Sequence, residues 1–240
     1  MSNISFENFA ILGKANLNLS SGRTAWMKKK IKFIAKDITS KLNFKKTDNF
    51  LDVGCGDSKI LKYIRPKVKS ATGIDHHLII KKLNKKIHND IKFISGDIKK
   101  DHSKIKKKYE KILIYSVVHY FKNQKELFKV IKILLSKLNI SGMLLIGDIP
   151  NKDMKKRFEK SSQYKKIHEK WLVNIKKTNE KEKKILNSIK KDRKLVLIND
   201  KLIFKISKMY NNKKYECYVF NQNKSLLQNN TRIDILIKKI

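Results

Sequence analysis

Residues 49–58, with the sequence NFLDVGCGDS, constrain the fold more than any other part of the chain. The first half, Asn49 to Val53, is short, apolar and β-branched at its end, and a glycine-rich turn follows it. Lys59 to Ile64 then has helical spacing, with Asp57 or Ser58 placed to cap its free N–H groups. A strand, a glycine turn and a helix in this order predict the opening of a Rossmann-type unit.

The turn itself has the form GxG, because Lys59 occupies the position of a third glycine. The carboxylates of Asp52 and Asp57 flank Gly54 and Gly56, so a pyrophosphate laid against this turn would be repelled. A ligand with a cationic end suits the turn better. On its own, a GxG pattern also suits a tight strand-to-helix connection without a ligand.

Two further carboxylates end predicted strands. Ala71 to Asp75 and Ile91 to Asp97 are apolar runs that each end in an acid, spaced by about 20 residues. The carboxyl ends of parallel strands lie at the same edge of a sheet, so we expect these acids near the glycine turn. An acid at the end of the second strand is placed to accept hydrogen bonds from both hydroxyls of a ribose.

With LDVGCGDS followed by these acidic strand ends, the chain resembles the class I, Rossmann-like S-adenosylmethionine-dependent methyltransferases. The resemblance covers roughly Asn49 to Asp148 and implies S-adenosylmethionine as the cofactor. It implies that Asp75 binds the ribose and that Asp97 lies near the exocyclic amine of the adenine. The cofactor-binding residues predicted on this basis are Asp52, Gly54, Cys55, Gly56, Asp75, His76, Asp97, Ile98, Ser116 and Arg23. Arg23 either reaches the methionine carboxylate or is an ordinary surface arginine.

The remaining pattern predicts an α/β fold. Lys111 to Val118 and Gly142 to Asp148 are near-continuous apolar runs, which are typical of strands covered on both faces of a parallel sheet. A helix from about Gln124 to Leu138 separates them, and strands at Tyr215 to Phe220 and Arg232 to Ile237 end the chain. Together with the resemblance, which implies that the last two strands form an antiparallel hairpin, this pattern predicts a Rossmann-like, seven-stranded, mostly parallel sheet with a C-terminal antiparallel hairpin and a helical insertion after strand 5.

The chain length suits a single domain over residues 1–240. Its expected parts are N-terminal cap helices at 1–48, a cofactor-binding core at 49–149, a helical lid at 150–195, and a C-terminal helix and β-hairpin at 196–240. The lid is expected to overhang the strand ends, and with the loop from Gln222 to Thr231 it is the predicted place where the methyl acceptor is held.

Two residues at strand ends are candidates for catalysis. His119 follows the fourth strand and is the best candidate for a general base, since the ordinary pKa of histidine lies near neutrality. Asp148 ends the fifth strand. Each has a structural alternative: His119 as a capping or packing residue, and Asp148 as a turn cap ahead of Pro150.

The formal net charge of +37 ordinarily points to nucleic acid or an anionic surface. However, only 5 of the 58 basic residues are arginine, the residue that phosphate and base recognition usually uses. We interpret the lysine excess as the coding bias of an AT-rich genome and as a solvated coat, and RNA methylation or plain nucleic-acid binding remains the alternative. The chain lacks the Asn-Pro-Pro-Tyr tetrapeptide of amino-purine methylases. A small-molecule, saccharide-like or lipid-like acceptor is therefore predicted.

The sequence also bears on compartment and cofactors. It contains no apolar stretch of membrane-spanning length, and its start lacks the features of a signal peptide, so we predict a cytoplasmic protein without a membrane span. Cys55 and Cys217 form no ligand cluster with the histidines, so no metal site is predicted. The oligomeric state stays open.

Overall fold

The computed structural model describes residues 30–83, 90–176 and 195–240, together with Glu7, Ala10, Ile11, Gly13 and Ser20. The α-helices in these ranges are α1 (Ile31–Leu42), α2 (Lys59–Ile64), α3 (His77–Lys82), α4 (Gln124–Ser136), α5 (Lys152–Glu159), α6 (Tyr164–Lys176) and α7 (Asp200–Met209). The strands are β1 (Asn49–Val53), β2 (Ser70–Asp75), β3 (Ile91–Ser95), β4 (Tyr109–Tyr115), β5 (Leu138–Pro150), β6 (Tyr215–Asn221) and β7 (Arg232–Lys239).

The seven strands form one sheet in the order β3-β2-β1-β4-β5-β7-β6. The pairs β1–β2, β2–β3, β1–β4 and β4–β5 are parallel, and β7 runs antiparallel to both β5 and β6. The strand order changes sense between β1 and β4: β2 and β3 are added on one side of β1, and β4 and β5 on the other. The carboxyl ends of β1 and β4 therefore border the crevice where such folds bind ligands. The predicted fold class is confirmed.

Each face of the sheet is covered by helices. Ile112, Leu144 and Ile235 point to the face on which α4 and α7 pack, whereas Leu113, Leu145 and Leu236 point to the face with α1 and α2. Successive residues of a strand alternate between faces, so a strand buried on both sides must be apolar throughout. This burial explains the continuous apolar runs in the sequence.

Several predicted element boundaries shift. The third strand ends at Ser95 rather than at Asp97, and the fourth ends at Tyr115 rather than at Val118. Ser116 has φ 60°, a left-handed conformation that cannot continue a strand, and a short 3-10 helix at Val118–Tyr120 follows it. The end of β4 is therefore a bent loop that faces the crevice.

The helical insertion after β5 is anchored at its base. The Asn151 side chain caps α5 and also donates a hydrogen bond to Asp200 Oδ1 at 2.6 Å, and Arg157 forms an ion pair with Asp200 at 2.5 Å. These contacts join α5 to the start of α7. The predicted lid continues through residues 177–194, which lie outside the described residues. Within the described ranges, no helix is long and apolar enough to cross a bilayer.

Candidate active site

The glycine turn after β1 leaves its backbone open toward the crevice. Gly54 and Gly56 have φ of 76° and 52°, where a side chain is strained. A Cβ on Gly54 would lie 2.5 Å from Val117 Cγ2, so the position has no room for a side chain. The Gly54 N–H donates to the Ile74 carbonyl at 2.8 Å, which holds the turn against β2.

Helix α2 begins directly after this turn. Ser58 occupies the N-cap position with φ 56°. The Asp57 carboxylate accepts a hydrogen bond from the Lys59 N–H at 3.4 Å and forms an ion pair with the Lys59 ammonium at 2.8 Å. Of the two predicted capping residues, Asp57 makes the contact to the helix start.

The Asp75 carboxylate lies at the end of β2 and is fixed by the backbone on both sides. Its Oδ2 accepts from the Gly56 N–H at 2.7 Å, and its Oδ1 accepts from the His76 N–H at 2.6 Å. Burial raises the pKa of Asp75 to about 6, although these two donors oppose the shift. Each oxygen keeps a lone pair for a further donor, so the group can bind a vicinal diol in one geometry.

One pocket opens at the carboxyl ends of β1, β2, β3 and β4. Among the predicted site residues that the structure describes, those that line it are Asp52, Gly54, Cys55, Asp75, Asp97, Ile98 and Ser116. Its further lining includes Ala10, Ser20, Asp57, Lys99, Val117, Tyr120 and Phe121. The structure thus brings the glycine turn and the carboxylates of Asp52, Asp75 and Asp97 to a single cavity.

The other predicted residues lie next to this pocket. Gly56 and His76 supply the N–H groups that hold Asp75, and the His76 imidazole caps α3 by accepting from the Leu78 N–H. Burial lowers the pKa of His76, and the neighbouring His77 lowers it further, so the ring favours its neutral form. Arg23 lies outside the described residues.

The pocket is acidic in a chain that is strongly basic. Asp52, Asp57, Asp75 and Asp97 line it, and among its described lining residues Lys99 is the cation. The same carboxylates affect Cys55: burial raises the pKa of the thiol, and Asp75, Asp52 and Asp57 raise it further. Cys55 is therefore a protonated packing residue of the turn. The field inside the pocket favours a positively charged ligand.

His119 lies in the loop after β4. It is part of the 3-10 helix Val118–Tyr120, and its ring contacts that of Tyr120 with centroids 4.1 Å apart. Tyr120 and Phe121 line the pocket directly. The Phe121 carbonyl accepts a hydrogen bond from the Val196 N–H at 2.8 Å, so the segment before α7 is tied to this loop.

Asp148 lies at a bulge near the end of β5. Ile146 pairs with Ile235 and Ile149 pairs with Ile233, so two residues of β5 face Asp234 alone. Asp148 adopts φ 57°, and its N–H donates to Asp234 Oδ1 at 2.8 Å. The buried Asp234 carboxylate therefore replaces a ladder bond at the bulge.

The Asp148 carboxylate belongs to a polar network. It accepts a hydrogen bond from the Ser116 hydroxyl, and the Gln222 amide donates to both Asp148 and Asp234 at 3.4 and 3.2 Å. Arg232 donates to the Asp148 carbonyl at 3.1 Å. This network connects the hairpin at the end of the chain to Ser116, which lines the pocket.

Sequence reasoning did not select Lys99, Gln222, Arg232 or Asp234 as site residues. Asp234 carries a signal, because it is an acid in the middle of the apolar run RIDILI. Lys99 carries none, since it is one of several lysines that follow β3.

Residues 51–138 match the family model described as a methyltransferase domain. Over this range the chain contains a methyltransferase domain. The matched range begins in β1 and ends at the first residue of β5, so it contains the glycine turn, the pocket acids Asp52, Asp75 and Asp97, and the loop after β4.

Solved structures resemble this methyltransferase in fold. The N-methyltransferase NodS from Bradyrhizobium japonicum WM9, in complex with S-adenosylhomocysteine, has a TM-score of 0.56 at 12% identity, over 98% of both chains. Phosphoethanolamine N-methyltransferase 1 from Haemonchus contortus has a TM-score of 0.69 at 12% identity, over 99% of this chain and 49% of that one. The plantazolicin methyltransferase BpumL has a TM-score of 0.54 at 21% identity, over 98% of both chains. No curated protein sequence matches the chain significantly.

The cofactor of this class of enzyme is S-adenosylmethionine, and the pocket fits it. Gly54 has no room for a side chain, because Val117 fills that space. Its backbone lines the pocket, where the ligand chain can contact it. The acidic lining suits a ligand that carries an ammonium and a sulfonium.

Proposed function

We propose that this methyltransferase methylates an oxygen or nitrogen of a small-molecule, saccharide-like or lipid-like acceptor. The acidic lining of the pocket carries the proposal. Four carboxylates and one lysine line it, and that lysine already pairs with two acids, Asp97 and Glu126. Such a pocket accepts a neutral or cationic acceptor, whereas the phosphates of RNA would be repelled close to the reacting atoms.

The cofactor end of the site is proposed to lie along β1, β2 and β3. Asp75 accepts both ribose hydroxyls on its outward lone pairs, and Asp97 accepts the exocyclic amine of the adenine. Gly54, Cys55 and Gly56 form the turn beside the ligand chain, with Asp52 near the ammonium. Ile98 packs against the adenine, and Ser116 lies at the reacting end.

The acceptor end is proposed to lie under the loop after β4. S-adenosylmethionine supplies an electrophilic methyl group, so the protein must orient the acceptor in line with it and remove a proton. We assign the removal of that proton to His119, because the adjacent residue in its 3-10 helix, Tyr120, lines the pocket. Asp148 acts through Ser116: it accepts the serine hydroxyl proton in a hydrogen bond, so that a lone pair of the serine oxygen faces the acceptor.

The anchoring of the predicted lid at both ends supports the proposal of an acceptor of limited size. Val196 hydrogen-bonds to Phe121, and Lys152 hydrogen-bonds to the Ile198 carbonyl at 3.0 Å, so both ends of residues 152–196 are anchored beside the loop after β4. The described helices of this segment, α5 and α6, are proposed to cover the acceptor and exclude water. Among the similar structures, one was solved with phosphoethanolamine, and BpumL was solved with desmethylPZN analogues.

Binding of the cofactor product S-adenosylhomocysteine is expected to weaken below pH 6. The ribose hydroxyls bind the ionised form of Asp75, whose pKa is about 6, so affinity is complete above that pH. Below it, each pH unit costs up to about tenfold in affinity, since the ligand must displace a proton. Calorimetric titration over the range from about pH 5 to 8 measures this effect. An affinity that stays constant over the range would contradict the assignment of Asp75.

Methyl transfer is expected to fall in His119→Ala and Asp148→Asn while S-adenosylhomocysteine affinity is retained. A general base contributes about 10²–10⁴-fold, which sets the size of the loss for His119→Ala. Asparagine tolerates the left-handed conformation of position 148, so Asp148→Asn tests the charge and not the backbone. The measurement is transfer from labelled S-adenosylmethionine to a panel of amines, saccharides, phospholipids and RNA.

His102→Ala is the matched control, because His102 occupies a similar 3-10 helix, His102–Lys104, after β3. A second variant replaces residues 161–194 with a flexible linker and keeps α5, whose contacts to Asp200 anchor the base. Full activity in this variant would show that the acceptor is held elsewhere. Methylation of RNA alone, with a steep loss at high salt, would establish the nucleic-acid alternative.

A further inference from the structure

Lys99 forms a bridge between two carboxylates at the wall of the cofactor pocket. Its ammonium lies 3.3 Å from Asp97 Oδ2 and 3.1 Å from Glu126 Oε1, and only 13% of its side chain is exposed. Asp97 follows β3, and Glu126 lies in the first turn of α4. The bridge therefore joins the loop on the adenine side of the pocket to the helix that follows Tyr120 and Phe121.

Both ends of the bridge are fixed before any ligand binds. Glu126 Oε2 accepts the Lys122 N–H at 2.6 Å, and the Glu126 N–H donates to the Asn123 side chain at 3.0 Å. This arrangement resembles a capping box and sets the direction of the Glu126 side chain. The Glu126 carboxylate is therefore fixed, and its ion pair keeps the Lys99 ammonium from moving toward a ligand.

Lys99 contacts both oxygens of Asp97. The backbone N–H of Lys99 donates to Asp97 Oδ1 at 2.9 Å, and the side-chain ammonium pairs with Asp97 Oδ2. The backbone of Asp97 is held as well, because its N–H donates to Asp101 Oδ2 at 2.8 Å. The plane of the Asp97 carboxylate is thus determined by one residue, which leaves one lone pair on each oxygen for a ligand donor.

We propose that Lys99 is a positioning residue that makes the enzyme selective for adenine, by holding the Asp97 carboxylate toward the exocyclic amine. This inference rests on the proposed role of Asp97 in adenine binding. Without the ammonium, the carboxylates of Asp97 and Glu126 would face each other with no cation between them, and Asp97 would turn away from Glu126. The adenine amine would then lose a well-oriented acceptor.

The test compares two ligands that differ only at the base, S-adenosylhomocysteine and S-inosylhomocysteine. The inosine base has a carbonyl where adenine has the amine, so a fixed carboxylate repels it. The wild-type protein is expected to prefer the adenosyl ligand by about tenfold or more, the size of one charge-assisted hydrogen bond. In Lys99→Met the preference is expected to fall to about threefold or less, and Lys99→Arg is expected to restore it.

Lys100→Met is the control, because Lys100 is the next residue, is exposed, and carries the same charge. It is expected to keep the wild-type preference, which separates the bridge from a general change of charge. An unchanged or increased preference in Lys99→Met overturns the inference and leaves the proposed function intact. A wild-type protein that binds both ligands equally overturns both the inference and the adenine role of Asp97, and one that binds neither overturns the proposed function as well.

Discussion

Lys41→Met is expected to lower the free energy of unfolding by about 3–5 kcal/mol, the usual effect of breaking a buried ion pair on one side. The Lys41 ammonium lies 2.5 Å from Asp234 Oδ2 and 2.7 Å from Asp37 Oδ2, and both carboxylates are buried. Methionine retains the apolar stem of lysine. The variant therefore leaves two buried carboxylates without their cation and changes packing little.

The loss of unfolding free energy in Lys41→Met is expected to depend on pH, and the direction of this dependence follows from the pKa of Asp234. Burial already raises the pKa of Asp234 above its usual value, although Lys41 and the Asp148 N–H oppose the shift. Removing Lys41 raises that pKa further. A group whose pKa is higher in the folded state binds its proton more tightly there. The loss of stability in Lys41→Met is therefore largest above the folded-state pKa of Asp234 in this variant. It shrinks as the pH falls from the folded-state pKa of Asp234 in the variant to the lower folded-state pKa in the wild-type protein.

Urea unfolding at neutral and mildly acidic pH measures both effects. Lys36→Met is the control, since Lys36 lies on the same helix, is exposed, and carries the same charge. It is expected to change the free energy of unfolding by less than about 0.5 kcal/mol. Equal losses in the two variants would show that the buried cluster contributes nothing beyond net charge.

The meeting of Gly54, Asp75 and Asp97 at one pocket could be predicted because local patterns encode it. Gly54 and Gly56 indicate a backbone that side chains would block, and Asp75 and Asp97 end apolar runs whose parallel pairing follows from their composition. In a parallel sheet such ends must meet at one edge. The structure brings them to one pocket because β1 pairs with β2 and β2 pairs with β3.

The polar network behind the pocket could not be predicted, because its members are distant in sequence. Lys41 and Asp234 are separated by 193 positions, and their contact depends on α1 packing against β7. Asp234 faces Asp148 only because β5 carries a bulge, and Gly147 and Pro150, which lie in and after that bulge, do not by themselves locate it. Such contacts follow from register, which local patterns do not determine.

The sequence predicts the end of the fourth strand too late for a related reason. Ser116 adopts a left-handed conformation that serine rarely takes, so propensity favours continuing the strand through Val118. The hydrogen bond from Ser116 to Asp148 and its N–H bond to the Gly147 carbonyl compensate for this conformation. Tertiary contacts thus override the local pattern where the site needs a bend.

Asp75→Ala is expected to weaken S-adenosylhomocysteine binding by at least about tenfold, since a hydrogen bond to a charged group contributes about 1.5–3 kcal/mol and Asp75 is proposed to accept two. The substitution also removes the acceptor of the Gly56 and His76 N–H groups, so the glycine turn loses one of its hydrogen bonds to β2. Calorimetry at about pH 7.5, with thermal unfolding of the ligand-free protein as a check on folding, measures the loss.

Asp57→Ala distinguishes the hydrogen bonds of Asp75 from its charge. Asp57 also lines the pocket, but its carboxylate pairs with Lys59 and not with the glycine turn. If the acidic field alone held the ligand, the two substitutions would weaken binding equally. If Asp75 binds the ribose, its loss is the larger by about tenfold, and Asp75→Ala also loses the decline in affinity below pH 6, because the group with a pKa of about 6 is gone. A decline that persists in Asp75→Ala would assign the titration to another residue and overturn the ribose assignment.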